Sequence, residues 1–242
     1  MSRILLLNGS PRGVGSNSRL LANAFVEGLS DGFGEGTERR EIILNDCRIE
    51  GCRGCFCCWG ATPGSCVIRD DMQMILEAIL QADAVVAAFP LYYFGLPGPV
   101  KTMLDRTLPL VLPYNGRLEG LHEPRYDLSG KRFALVSSCG YGVTDGLYDA
   151  LKKQADMIFA HGCARVFCPQ GEVLQLPSLE GLRRRYLNRI REAGREFAET
   201  GMLSSETVAA VSKPLLPQRA FEKIVEAHWA AYPGAMTGKN GK

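Results

Sequence analysis

The densest chemistry in the chain is the stretch CRGCFCCWGATPGSC, residues 52–66, where five of the nine cysteines fall within fifteen positions. Cys52, Cys55 and Cys58 are separated by two residues each, Cys66 follows after seven more, and Cys57 is an extra thiol inside the second gap. Thiols so crowded ligate a metal, exchange electrons or close disulfides, and the compartment decides among these. The opening MSRILLLNGSPRG has an apolar run of only four residues, followed by a turn and no cleavage site. The longest apolar run, AVVAAFPL, falls far short of the roughly eighteen residues that span a bilayer. A soluble, cytoplasmic protein is expected, and in a reducing cytosol the thiols read as ligation or redox chemistry rather than a disulfide framework.

Three other stretches carry ligand chemistry. In NGSPRGVGSNS, residues 8–18, Gly9, Gly13 and Gly15 permit a tight backbone path, Ser10, Ser16, Asn17 and Ser18 are short donors, and Arg12 is a fixed positive charge. A helix begins behind them, so its unpaired amides and positive dipole end point into the loop, as an anion site requires. A nucleoside triphosphatase loop needs a lysine after its glycines, yet the first lysine is Lys101, and Ser18 stands where a dinucleotide fingerprint has its third glycine. The loop suits a lone phosphomonoester such as that of FMN, against the competing reading of a capped helix start with no ligand. PLYYFGLPG, residues 90–98, sets Tyr92, Tyr93 and Phe94 between Pro90 and Gly95, as a packed lid or as a wall for a flat ring system. In SSCGYGVTDG, residues 137–146, Gly140 and Gly142 let the backbone approach a ligand and Tyr141 adds an aromatic ring.

The elements that must position these loops are legible from periodicity. Ile-, Leu- and Val-rich runs at 3–9, 39–46, 83–90, 131–138 and 163–170 read as strands buried on both faces. Stretches at 18–29, 70–82, 97–108, 144–161 and 178–200 read as helices between and after them. Strands separated by helices predict a doubly wound α/β domain with a five-stranded parallel sheet in the order 2-1-3-4-5. In that order the loops after strands one, three and four lie side by side at the carboxyl edge, where such sheets bind ligands. The domain is expected to cover residues 1–200, with the cysteine-rich loop at 47–66, and residues 201–242 to form a helical extension or tail. There Phe221, Ile224, Val225, His228 and Trp229 fall on one apolar stripe. The segment 109–130, rich in proline and glycine, is too long for an ordinary connection and reads as a functional or interface loop. A balance of 28 basic and 26 acidic residues gives no field for nucleic acid or an anionic membrane.

GSPRGVGSNSRLL, the cysteine loop followed by CVIRDDM, and ADAVVAAFPLYYFGLPGPVKTMLDRT together resemble the flavodoxin-like NAD(P)H-dependent FMN reductases, in particular the iron-sulfur flavoprotein branch. The resemblance spans roughly residues 1–200. It implies noncovalent FMN, with phosphate contacts from Ser10, Arg12, Ser16, Asn17 and Ser18. Ring contacts are implied from Pro90, Leu91, Tyr92, Tyr93, Phe94 and Gly95 and from Ser138, Cys139, Gly140, Tyr141 and Gly142. Ser16 and Asn17 stand where relatives more often carry Asn and Thr, and both remain polar donors. A homodimer or homotetramer is also implied.

Within that resemblance, Cys52, Cys55, Cys58 and Cys66 match the spacing of a compact 4Fe-4S motif, since WGATPGS can turn the chain and bring the fourth thiolate round. A cysteine-rich loop without a cluster and a four-cysteine zinc site are the competing readings. Cys57 fits neither scheme, and Cys47, Cys163 and Cys168 read as small buried hydrophobes. The expected function is an FMN-dependent oxidoreductase that takes electrons from NADH or NADPH and passes them to a flavin, quinone or other small-molecule or protein acceptor, directly or through the cluster. No side chain need act as acid or base, because the flavin carries the chemistry. The alternatives are a non-enzymatic electron carrier, marked by a stable semiquinone, and a binding protein working through its C-terminal helix, which purifies colourless.

Overall fold

The computed structural model describes residues 1–113, 123–159 and 162–232. Its centre is a five-stranded parallel sheet in the order β2-β1-β3-β4-β5, built from β1 (Arg3–Asn8), β2 (Glu38–Ile43), β3 (Ala84–Pro90), β4 (Arg132–Ser138) and β5 (Ala164–Cys168). This is the expected flavodoxin-like winding. Successive side chains of a strand point to opposite faces, and the apolar runs therefore supply two cores. Ile4 and Leu6 face α1 (Asn17–Phe33) and α5 (Glu180–Thr200), whereas Leu5 and Leu7 face α2 (Met72–Gln81), α3 (Gly98–Asp105) and α4 (Asp149–Ile158).

Two local expectations are corrected. The stretch predicted as a strand buried on both faces at 39–46 forms the edge strand β2, where Glu38, Arg39 and Arg40 are exposed, and residues 44–46 leave it in a 3-10 turn. The helix predicted from 144 begins at Asp149, because Gly146 stands at φ +73, outside helical backbone, and Tyr148 just before the helix is buried against Phe167. Beyond residue 200 lie α6 (Ser205–Val211) and α7 (Gln218–Ala230). The predicted stripe falls on α7, but only Phe221 is buried, while His228 and Trp229 are exposed and touch each other edge to face. His122, His161, residues 114–122 of the long loop and the last ten residues of the tail lie outside the described residues. Among the described residues no helix is long and apolar enough to cross a membrane.

Candidate functional site

The first loop is assembled by a side chain to which the sequence reading gave no role. Asn8 ends β1 fully buried, accepts the Ser10 N–H at 3.1 Å through its Oδ1, and donates through Nδ2 to the Gly13 carbonyl (3.1 Å) and to Glu41 (3.2 Å). Glu41 also receives a two-point hydrogen bond from Arg19 at 2.7 and 2.6 Å, which holds its carboxyl below the usual range against the opposing effect of burial. Gly13 takes φ +51, a conformation open to glycine without steric cost. Gly9 is pressed against α3: a Cβ there would lie 2.0 Å from Val100 Cγ2, so the first loop and the helix after β3 share one wall.

The expected donors divide into shapers and free groups. Ser16 is the N-cap of α1, its Oγ accepting the Arg19 N–H at 3.1 Å. Ser18 is buried and its hydroxyl pairs with Ser138 at 2.8 Å, which ties the start of α1 to the end of β4. Ser10 is buried, its Oγ facing the Arg12 N–H at 3.4 Å. Left over are the O–H donors of Ser10 and Ser16, whose oxygens only accept in these bonds, the main-chain N–H groups of Asn17 and Ser18, which have no intrahelical partner by geometry, and the exposed Arg12 side chain. The Asn17 Oδ1 is enclosed and has no partner.

The second loop leaves β3 through Pro90 and buried Leu91, whose N–H donates to the Ser138 carbonyl at 2.9 Å. Tyr92 and Gly95 then close a hairpin turn by mutual main-chain bonds of 3.2 and 2.9 Å, with Tyr93 at φ +46 and Phe94 at φ +61. Two consecutive aromatic residues in the left-handed region cost about 1–2 kcal/mol each. No burial repays that here, since Tyr92 and Phe94 are about half exposed and Tyr93 is entirely so. Strain of this kind collects at ligand sites. Phe94 stacks on Tyr141 of the third loop at a centroid distance of 6.1 Å and 25°. Of the other third-loop candidates, Gly140 and Gly142 lie toward the surface, whereas the Cys139 thiol is enclosed near Tyr148 and burial pushes its pKa up.

The cysteine loop folds as a run of tight turns. Phe56 (φ +54) stacks on Trp59, whose Nε1 donates to the Leu108 and Val111 carbonyls at 3.1 and 3.0 Å. Cys52, Cys55, Cys58 and Cys66 rim one recess, with Arg106 in its wall. Arg106 is enclosed, with its side chain 1% exposed. It pairs with Asp70 at 2.8 and 3.0 Å, donates to the Glu50 carbonyl at 2.7 Å and lies against Cys66. Its Nε is buried with no partner. Burial pushes the Asp70 carboxyl up, but the bonds from Arg106 and from the Glu50 and Met72 amides prevail and hold it below its ordinary range. The Cys55 thiol is lowered by the Cys57 amide and then by the Cys57 thiol, while burial raises Cys58. All nine cysteines are free thiols. The expected ligand set thus shares one recess, but among the described residues no group of three or more Cys, His, Asp or Glu side chains is gathered to hold a metal ion. Cys163 and Cys168 are core residues as expected, the latter pushed up to about 12 by burial, and Cys47 is half-buried.

Three loops of a doubly wound sheet meet at its carboxyl edge, which is the flavodoxin-like architecture. Residues 2–170 match the family described as NADPH-dependent FMN reductase, and the chain belongs to that family. It is 37% identical over 101 residues to an iron-sulfur flavoprotein of Archaeoglobus fulgidus, covering 42% of this chain and 43% of that protein. It is 28% identical over 149 residues to FMN-dependent NAD(P)H:quinone oxidoreductase 1 of Pseudomonas aeruginosa, covering 58% and 69% respectively. The alignments span about half the length of the iron-sulfur flavoproteins it matches. The fold is shared with an NAD(P)H:quinone oxidoreductase from Methanothermobacter marburgensis, at TM-score 0.58 and 20% identity over 81% of this chain and 98% of the other.

Proposed function

We propose that this protein is an FMN-dependent oxidoreductase that takes electrons from NADPH or NADH and passes them to a small-molecule acceptor of the quinone or flavin class. The observation that carries the reading is the meeting of three loops on one sheet edge, joined by the Ser18–Ser138 hydrogen bond and the Phe94–Tyr141 stack. The residues present fit the cofactor. Two unpaired helix amides and Arg12 suit a phosphate, and the enclosed Asn17 Oδ1 lacks a partner that a ligand or water must supply. The strained, uncovered aromatic turn suits a flat ring.

Bound FMN supplies the hydride and electron chemistry. The amides of Asn17 and Ser18, the hydroxyls of Ser10 and Ser16 and the Arg12 side chain hold the phosphate, and the bonds that Ser10 and Ser16 accept keep the loop in shape. Pro90, Leu91 and the turn Tyr92–Gly95 form one wall for the ring, and the backbone from Ser138 to Gly142 with the Tyr141 side chain forms another. No side chain is assigned as acid or base.

Three finer readings accompany this one. Cys52, Cys55, Cys58 and Cys66 are proposed as ligands of a 4Fe-4S cluster that extends the electron path. Their common recess and the unpartnered Arg106 Nε support it, since an enclosed N–H suits an anionic sulfur centre. Residues 1–200 are proposed as the cofactor domain and 201–242 as its extension. Cytoplasmic location and a homodimer or homotetramer, with the 109–130 loop and the exposed face of α7 as contact elements, complete the proposal. Anaerobic mixing of the FMN-loaded protein with NADPH and then NADH tests the activity. Bleaching of the visible flavin band by either supports it, and a band unchanged by both refutes it.

A further inference from the structure

A side chain at the end of the family match joins the C-terminal extension to the third loop of the candidate site. Gln170, the last residue of the matched segment, is fully buried and stands at φ +55, ψ 32. Glycine adopts that backbone without steric cost and glutamine does not, so glutamine at this position signals a use for its side chain. Its amide makes a two-point pairing with a single residue of the extension: Oε1 accepts the Leu216 N–H at 2.8 Å and Nε2 donates to the Leu216 carbonyl at 3.0 Å. Its main-chain N–H donates to the Tyr141 carbonyl at 2.8 Å, and the next amide, Gly171, donates to Cys139 at 2.8 Å. Two residues after Leu216, the Gln218 side chain lies over Gly142, where a Cβ would stand 2.2 Å from Gln218 Oε1. One continuous set of contacts therefore runs from Leu216 through Gln170 to Tyr141, and from Tyr141 by ring stacking to Phe94.

Apolar contacts alone would hold the extension in place, through Val211 and Leu215 against the core and through buried Phe221. Contacts of that kind tolerate sliding. A two-point amide pairing with the N–H and C=O of one residue is satisfied in one register only and fixes which residue sits beside the third loop. We propose that Gln170 is a positioning residue through which the C-terminal extension sets the conformation of loop 139–143, and with it the wall that receives the flavin ring. The inference rests on the flavin reading above and assigns part of that site to residues outside the family match.

Fluorescence titration of the full chain with FMN and with riboflavin tests it. Gln170→Met keeps the volume and removes the pairing. It is expected to weaken both ligands by the same factor of about ten, because the phosphate loop is untouched, and to change the visible circular dichroism of the bound flavin. Leu216→Pro removes the opposing N–H from a partly exposed segment and is expected to act in the same direction. The double variant should bind no more weakly than the weaker single variant, since both break one contact. A merely structural glutamine would lower the melting temperature and leave both affinities and the dichroism of folded protein unchanged, which overturns the inference. If Gln170→Met does not fold, Leu216→Pro decides in the same way. Wild-type protein that binds neither flavin overturns the flavin reading together with this inference. Wild-type binding with unchanged variants overturns the inference alone.

Discussion

The first loop and the cysteine loop are both rich in ligand chemistry, yet they are organised in opposite ways. In the first, folding alone fixes the path: Asn8 gathers Ser10, Gly13 and Glu41, Ser16 caps α1, and Ser18 is tied to Ser138. The groups that remain for a ligand include main-chain amides aimed by the helix itself. In the second, what folding fixes lies behind the thiols, in the enclosed Asp70–Arg106 pair and in Trp59 anchored to two carbonyls. The thiols rim a recess without being gathered. A site made of amides is complete when the chain has folded, whereas one made of thiolates is completed by the metal, because each thiol must lose a proton and the ligands repel until an ion joins them.

The largest effect that could break this contrast is at the base of the cysteine loop. Removing one partner of a buried ion pair strands the other charge, so Asp70→Ala should lower stability by about 3–5 kcal/mol in denaturant titrations, with FMN affinity of the folded protein unchanged. Because the folded Asp70 carboxyl lies below its ordinary range, its contribution is complete above about pH 4 and is lost as pH falls through the lower folded value. Acid unfolding of the wild type should therefore take up more protons than that of the variant, by at most one.

Anaerobic incubation with iron and sulfide should produce broad cluster absorbance in the wild type and in Cys57→Ser but none in Cys66→Ser, each with flavin binding intact. Loss of flavin in Cys66→Ser would mean that the two regions are one site. A smaller change is expected at the helix cap, where Ser16→Ala should cost about 1 kcal/mol in thermal unfolding and weaken FMN more than riboflavin. Smallest is Tyr93→Gly, a net stabilisation of about 0.5 kcal/mol, from strain relief of about 1–2 kcal/mol less the added freedom of the unfolded chain. The same change should weaken both flavins, since the turn gives up ring-facing surface.

What could be read from the chain was whatever depends on local pattern. Alternating apolar runs and helices predict the sheet order, and the glycine and hydroxyl content of residues 8–18 marks the first loop before its geometry is known. What escaped depends on pairs distant in sequence. Asp70 and Arg106 are 36 positions apart, and nothing local marks them as partners. Gln170 and Leu216 are 46 apart, and their pairing is a matter of register. Asn8 did leave a signal, as the polar residue ending an apolar strand, and its partner Glu41 sits on β2, which hydrophobicity alone misread as a buried strand although it forms the sheet edge. The Cys139 position was legible as a loop residue, but its enclosure beside Tyr148 is a tertiary contact that no local pattern marks.

The central claim is that main-chain amides at the start of α1 grip the phosphate of a flavin. Titration of the purified protein with FMN beside riboflavin tests it most directly. The account predicts one FMN bound per chain and much weaker riboflavin binding, with the difference shrinking when Arg12 is replaced by alanine. Equal affinity for the two flavins, or no binding of either, would contradict it.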